Sequence, residues 1–487
     1  MDSKRRRINH RRLCTIASML ICAGFLPLLQ SADAANLNAG KPASNVILIV
    51  IDDLGWRDPG CYGSSYYRTP NIDRLAAEGM RFTDAYAACP VCSPTRAAIM
   101  TGKYPARLLL TQWLPSGRWD PARKQLREAR YLSNLPLEEV TIAEALRQSG
   151  YRTGFIGKWH LRTATYYYPE HQGFDVNIGG RDYGAPGSYF YPFRGTWSIP
   201  TTGQTLRKDF PVDGRAGDYL VDRLAEEAVQ FIRDSQGQPF FLVLSHYAVH
   251  APLEGQPHLV QRYKAVKKEL RQGKPEYAAM IESVDLSVGR VLNTLDELGA
   301  ANDTLVIFTS DNGGFARATS NAPLRANKGS LYEGGIRVPL IVRHPGSVTP
   351  SSECNTPVTS SDLYPTILSA TGQSPQPYQH LDGVDLWPVL TGRGELSREA
   401  IYWHYPHYNQ HPQSFPGAAV RSGPWKLLER YESDAVELYR LPDDIGETRN
   451  LADTQPEVTQ RLRTLLRSWR EDVRADMMQA NPQFTGQ

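Results

Sequence analysis

Four short runs along the chain are almost continuously apolar and rich in β-branched residues: Asn45–Ile51 (NVILIVI), Phe240–Ser245 (FFLVLS), Thr304–Thr309 (TLVIFT) and Val338–Val342 (VPLIV). Runs of this length without polar alternation suit strands covered on both faces, as in parallel or mixed sheets. Between them, apolar positions recur at helical spacing in Asn71–Glu78, Thr141–Ser149, Asp218–Arg233 and Tyr277–Leu298. Strand, helix, strand over roughly 300 residues predicts an α/β fold: a large mixed sheet sandwiched by helices. After about Glu395 the pattern shifts. Ala418–Glu429 and Val436–Arg440 read as antiparallel strands, and Pro456–Asp476 reads as a helix. We therefore expect a main domain over 36–395 and a small C-terminal α+β subdomain over 396–487.

Two stretches break the pattern. Asp175–Arg207 is rich in Gly, Tyr, Pro and Ser; irregular segments of this length are functional or disordered, and its aromatics argue against disorder. At the N-terminus, a basic run ending at Arg12 precedes Leu13–Leu29, which carries no charge, and then Ala32-Asp33-Ala34. Basic, apolar, then small-x-small is the secretory signal pattern, so 1–34 is expected to be cleaved on export. An uncleaved anchor is the alternative, although 17 uncharged residues are marginal for about 30 Å of hydrocarbon.

Charge and cysteine content sharpen the picture. The chain has 54 Lys and Arg against 51 Asp and Glu, and six of the former but two of the latter fall within 1–34. The remaining body is near neutral, which speaks against a nucleic-acid partner. No stable membrane association is expected once the signal is removed. Of six cysteines, Cys14 and Cys22 leave with the signal, while Cys61, Cys89, Cys92 and Cys354 remain. Four cysteines in a body this long make no disulfide scaffold, so the core must hold the fold.

Candidate chemistry sits at two strand ends. Asn45–Ile51 runs into Asp52-Asp53, and Thr304–Thr309 runs through Ser310 into Asp311-Asn312-Gly313-Gly314. Ligands of open α/β sheets bind beyond the carboxyl ends of strands. Neighbouring carboxylates repel unless a cation lies between them, and hard oxygen donors of this kind suit Ca²⁺. No histidine adjoins either pair, which disfavours zinc.

The segment from Cys89 to Gly102 (CPVCSPTRAAIMTG) holds C-x-P-x-R followed by T-G. It resembles the signature of the sulfatase family: type I, formylglycine-dependent enzymes of the alkaline phosphatase superfamily, here of the bacterial arylsulfatase A or N-acetylgalactosamine sulfatase kind. Asp52–Trp56, Thr69–Leu75, Gly157–Leu161, His250–Pro252, Asp311–Gly314 and Arg325–Pro339 match further blocks in the family's order. The resemblance implies an alkaline phosphatase-like sheet and hydrolysis of a sulfate monoester. It further implies conversion of Cys92 to formylglycine by a formylglycine-generating enzyme. An aldehyde hydrate offers one hydroxyl as nucleophile and keeps a second to expel sulfate, a self-resetting covalent cycle. Pro94 is tolerated early in a helix, and a helix N-terminus favours an anion. One turn on, Arg96 can reach back toward Cys92 and nearby carboxylates.

By the same resemblance, Asp52, Asp53, Asp311, Asn312 and residue 92 hold one Ca²⁺ per chain. Lys158 binds sulfate, His160 deprotonates the second hydroxyl, His250 binds sulfate and protonates the leaving group, and Lys328 contacts the leaving oxygen. Arg96, Lys158, Lys328 and Ca²⁺ supply about +5 against about −3 from the three aspartates, a cationic site fit for an anionic ester.

Specificity is expected from the aromatic stretch, with Arg181 and Asp182, and from His404, His407 and His411. Pro406 and Pro412 break any helix there and disfavour a metal cluster. The favoured substrate is a sulfated carbohydrate, and the favoured location is periplasmic or extracellular in a bacterium. The alternatives are a phosphoester or phosphonate hydrolase of the same superfamily, and a silent sulfatase-like binding protein.

Overall fold

The computed structural model describes residues 43–115, 123–163, 166–198, 205–208 and 210–485. The signal segment expected at 1–34, with Cys14 and Cys22, lies outside them. An eight-stranded mixed sheet forms the centre, in the order Ser352–Cys354, Met80–Phe82, Leu340–Arg343, Thr304–Ser310, Asn45–Ile51, Phe240–Ser245, Arg152–Gly157, Val176–Ile178. The four strands from Thr304–Ser310 to Arg152–Gly157 are parallel, and Leu340–Arg343 runs antiparallel beside Thr304–Ser310.

All seven residues of Asn45–Ile51 are buried, because helices cover both faces. Ile47, Ile49 and Ile51 pack with Leu224 and Phe231 of helix Leu220–Asp234 and with Val284 and Leu292 of helix Pro275–Glu297. The alternate residues, Val46, Leu48 and Val50, pack with Ile99, Leu146 and Ile367 from helices Cys92–Thr101, Ile142–Gln148 and Leu363–Ala370. A period-two strand thus feeds two cores at once, and each such side chain contributes about 1.5–3 kcal/mol of burial. Local signals fix the helix ends. Thr141 and Glu144 form a reciprocal capping box, and Pro275 opens the 23-residue helix.

Beyond residue 400, Ile401–Tyr405, Gly417–Ser422, Trp425–Arg430 and Val436–Arg440 form an antiparallel sheet. The run expected as one strand over 418–429 is two. Ser422 pairs with Trp425 across Gly423-Pro424, and Gly423 takes φ 54°, which a turn requires and a strand forbids. Helix Pro456–Asp472 lays Leu462, Leu466 and Trp469 on this sheet.

The C-terminal sheet shares a core with the main body. Trp403, Ala419 and Leu428 cluster with Tyr86, Tyr332 and Ile336. A buried ion network crosses the same junction: Lys426 Nζ lies 2.8 Å from Glu333 Oε1 and 2.9 Å from Glu447 Oε1, and Arg337 Nε lies 2.7 Å from Glu333. Burial would raise Glu333, but Lys426, Arg337 and Arg421 hold it well below the usual carboxylate range. Burial and the neighbouring Glu333 push Glu447 up to about 7 against the opposing charge of Lys426. Residues 41–487 form one compact unit, and among the described residues no helix is long and apolar enough to cross a membrane.

Lys426→Met leaves two buried carboxylates facing each other. It should cost about 3–5 kcal/mol in urea denaturation. The cost should be larger at pH 8 than at pH 5, because Glu447, with its raised value, takes up a proton as pH falls. An unchanged midpoint at both pH values would show that the network carries no stability.

Candidate active site

Strands Asn45–Ile51 and Thr304–Ser310 pair in parallel with Ile51 opposite Ser310. The residues that follow each strand therefore leave the sheet side by side at its carboxyl edge. Asp52, Asp53 and Asp311 come so close that one ligand atom from each lies within 4.8 Å of the others, all buried. Asn312 Nδ2 donates to Asp53 Oδ1 at 2.8 Å, and the Asp53 backbone N–H donates to Asp311 Oδ1 at 3.3 Å.

Cations neutralise the cluster. Lys158 Nζ donates to Asp52 Oδ2 at 2.6 Å, Lys328 Nζ to Asp53 Oδ1 at 2.5 Å, and Arg96 Nε to Asp311 Oδ2 at 2.8 Å. Burial raises Asp52 well above the carboxylate range despite Lys158. Burial also acts to raise Asp53, but Lys328 and His250 hold it below that range. Reciprocally, Asp53 lifts Lys328 above its ordinary value against burial.

Cys92 is the first residue of the ten-residue helix Cys92–Thr101. Its Sγ lies 3.3 Å from His160 Nδ1. His160 Nε2 faces the Leu114 carbonyl, which can only accept, so that nitrogen carries the ring proton and Nδ1 presents a lone pair to residue 92. Burial, then Lys158, pushes His160 well below its ordinary value, so the ring is neutral. Arg96 turns to Asp311, while its Nη1 donates to the Lys158 carbonyl (2.7 Å) and Ser245 Oγ (2.6 Å). One guanidinium thereby ties three strand ends together.

Lys158 and His160 follow strand Arg152–Gly157. Gly157 takes φ 107°, and a Cβ there would fall 1.9 Å from the Ser245 carbonyl, so only glycine lets the chain close on its neighbour. His250 Nδ1 donates to the Ala251 carbonyl at 2.8 Å and Nε2 lies 3.8 Å from Asp53 Oδ2.

The catalytic residues read from the sequence, and the acidic ligand set, are thus gathered at one sheet edge. A profile of the family described as "Sulfatase" matches residues 44–373. The chain belongs to the sulfatase family. A second profile, "N-sulphoglucosamine sulphohydrolase, C-terminal", matches 326–472. A sulfatase of Formosa agariphila is 32% identical over 93% of both chains, and human arylsulfatase A is 33% identical over 90% of this chain and 89% of its own. The solved structure of Ps i-CgsB in complex with k-i-k-neocarrahexaose superposes with a TM-score of 0.72 at 30% identity, covering 88% of this chain and 93% of that one. This sulfatase is accordingly a sulfate ester hydrolase.

The sulfatase's cavity, about 400 Å³, opens over Asp53, Cys92, His160, His250 and Lys328. Trp113, Phe315, Gly184–Gly187, Thr196, Gln410 and His411 form its outer wall. Several specificity expectations shift here. The side chains of Tyr189 and Phe193 in the aromatic stretch are core, and Tyr189 Oη lies 2.9 Å from the His250 carbonyl. From this stretch, Gly184, Ala185, Pro186, Gly187 and Thr196 line the cavity. Arg181 lays its guanidinium over Tyr168 at 4.4 Å, and neither Arg181 nor Asp182 lines the cavity. His404 does not line it either. Strand alternation sends Trp403 and Tyr405 to the face toward the main body and His404 to the other, where it contacts Tyr431 Oη at 2.5 Å and the Asp476 carbonyl at 3.0 Å. His407 is buried against Thr111 Oγ1 at 2.7 Å. Of the three histidines, His411 alone lines the cavity, edge-on to Trp113 and Phe315. Trp113 lies in irregular chain that carries no sequence signal, whereas Phe315 follows the Asp311–Gly314 block directly, a positional signal.

The donor set fits a hard divalent cation. Asp52 Oδ1 and Asn312 Oδ1 are buried without a hydrogen-bond partner, costly for acceptors that no cation satisfies. Among the described residues no other cluster of three such ligands occurs.

Chelation should therefore lower the melting temperature, and added divalent cation should restore it, by about 2.7 kcal/mol at a hundred times the dissociation constant. In Asp52→Asn and Asp311→Asn the response should vanish. A wild-type protein indifferent to chelator would refute a metal role for the cluster.

Proposed function

We propose that the protein is an exported, calcium-dependent sulfatase that removes sulfate from a sulfated carbohydrate, with Cys92 acting as formylglycine. The observation that supports this best is the placement of residue 92: first residue of a helix, against a neutral histidine base and beside the acidic cluster. Aldehyde formation there would follow from a formylglycine-generating enzyme acting on the C-x-P-x-R segment. The signal pattern at 1–34 supports export.

Sulfate would enter with its oxygens toward Lys158, His250 and Lys328 and the helix N-terminus. One hydroxyl oxygen of the aldehyde hydrate would attack sulfur, giving up its proton to a carboxylate of the adjoining acidic cluster, as the bond from sulfur to the ester oxygen breaks. The leaving oxygen would take its proton from His250 Nε2, which burial and Lys328 leave unprotonated in the free enzyme and which would pick up a proton as the sulfate anion binds beside it, with Lys328 stabilising the charge that develops there. His160 Nδ1 then accepts the proton of the second hydroxyl. The electron pair of that O–H forms C=O, the bond from carbon to the sulfate oxygen breaks, and sulfate leaves. Water adds back to the aldehyde. Asp52, Asp53, Asp311 and Asn312 would hold Ca²⁺, which supplies positive charge against the sulfuryl oxygens and the attacking hydroxyl.

The carbohydrate reading rests on the similarity to Ps i-CgsB, solved with a neocarrahexaose, and on the uncharged wall of glycines, Trp113 and Phe315. A phosphoester or phosphonate hydrolase would use the same cradle, so the two must be separated by turnover.

The tryptic peptide containing Cys92 should be about 18 Da lighter than its unmodified sequence. Cys92→Ala should lower kcat by at least about a thousandfold with the fold intact. A native mass at full activity would end the formylglycine assignment. On a panel with one leaving group, sulfate should be cleaved at least about a hundredfold faster than phosphate, and sulfated mono- and disaccharides should exceed an aryl sulfate in kcat/KM. Preference for phosphate would favour the alternative hydrolase.

A further inference from the structure

A second cleft, of about 410 Å³, opens beside the catalytic cavity. Lys268, Arg271, Lys274 and Arg317 line it, with no carboxylate in its wall. Arg271 is committed to the frame: its Nε and Nη2 donate to the carbonyls of Val266 (2.9 Å) and Lys264 (2.7 Å). Lys268, Lys274 and Arg317 are exposed and form no ion pair among the described residues.

The floor of the cleft is built, not a gap between side chains. Gly273 and Thr319 form an antiparallel bridge, with Lys274 N donating to Ala318 O at 2.8 Å and Ser320 N to Gln272 O at 3.1 Å. A Cβ at Gly273 would lie 2.3 Å from Tyr67 Oη and 2.4 Å from Ala318 O. Gln272 and Thr319 each donate to Asp58 Oδ1 at 2.9 Å, and Tyr277 Oη donates to Asp58 Oδ2 at 2.6 Å while lying 3.0 Å from the Asp53 carbonyl. The cleft and the acidic cradle therefore share one hydrogen-bonded frame.

Position and field also point to an anion. Lys274 immediately precedes helix Pro275–Glu297, and no side chain caps that N-terminus. Cations at the positive end of a helix are unfavourable unless an anion joins them. The single first-turn acid, Glu276, turns aside to Lys264 at 3.5 Å. Phe315 lines the catalytic cavity and Arg317 the basic cleft, with at most about 8 Å of chain between their Cα atoms. The nearest cation of the cleft thus lies two residues along the chain from the cavity wall.

We propose that this cleft is a second anion-binding site, holding a further sulfate or carboxylate of an oligosaccharide whose reacting sulfate lies at residue 92. It rests on the sulfatase reading above and identifies the substrate as a multiply charged chain, not a small ester.

The test compares wild type with Lys268→Glu/Lys274→Glu/Arg317→Glu. Direct binding of a fluorescent carrageenan-type sulfated hexasaccharide and of a monosaccharide sulfate is measured at low and high salt. Turnover of an aryl sulfate is followed in parallel. The variant should bind the hexasaccharide about tenfold or more weakly at low salt, and the difference should shrink at high salt. Monosaccharide binding and aryl sulfate turnover should stay unchanged. Equal hexasaccharide affinity in both proteins would overturn the proposal, as would equally weakened binding of monosaccharide and hexasaccharide. A single-stranded DNA of matched charge that binds as tightly, with the same loss in the variant, would also overturn it. Failure of wild type to cleave the aryl sulfate and the sulfated sugars would count against the sulfatase reading alone, since hexasaccharide binding is scored separately.

Discussion

Everything at this sheet edge answers one electrostatic problem. In-register parallel pairing of Asn45–Ile51 with Thr304–Ser310 brings three carboxylates into a buried space a few ångströms wide. Such a cluster is unstable without compensation, because each charge has lost its water and faces like charges. Arg96, Lys158 and Lys328 come from three separate segments to meet it, and each is itself buried. Their own burial is tolerable only because the aspartates are there. Cradle and cations thus require each other, and the two acceptors left over, on Asp52 and Asn312, define where a further positive charge belongs.

The same pairing shapes reactivity. Arg96 links Asp311 to the Lys158 carbonyl and Ser245, so the acidic cluster and the segment bearing His160 move as one piece. Asp53 and His160 both hold left-handed backbone, φ 63° and 59°, conformations non-glycine residues rarely keep unless their surroundings impose them. Rigid placement of this kind suits a site whose work is to hold charges where charge will develop.

Much of this was legible in the sequence, for identifiable reasons. Strands buried on both faces leave uninterrupted apolar runs, and Asn45–Ile51 and Phe240–Ser245 were readable to the residue. Acidic residues directly after such runs could be placed at one edge because strand ends of a parallel sheet converge. Of the outer wall, His411 and the stretch holding Gly184–Gly187 were expected. Trp113 and Gln410 reach the cavity through irregular chain, where no period relates sequence to direction. His404 was misjudged because period-two alternation within Ile401–Tyr405 decides its side, and that strand could not be phased before its neighbours were known. The turn at Gly423-Pro424 was hidden by apolar residues on either side, although a glycine-proline pair marks such breaks.

Helix Cys92–Thr101 is buried along its whole length, and residue 92 is only 4% exposed. Its thiol sits on the floor of the cavity, against His160, and a cavity of about 400 Å³ offers no room there for another enzyme's active site. Any catalyst that alters this side chain must meet it on a nascent or still extended polypeptide. On the proposed formylglycine reading, conversion of residue 92 would be a race between that encounter and closure of the sheet, and a chain that folds first would keep its thiol.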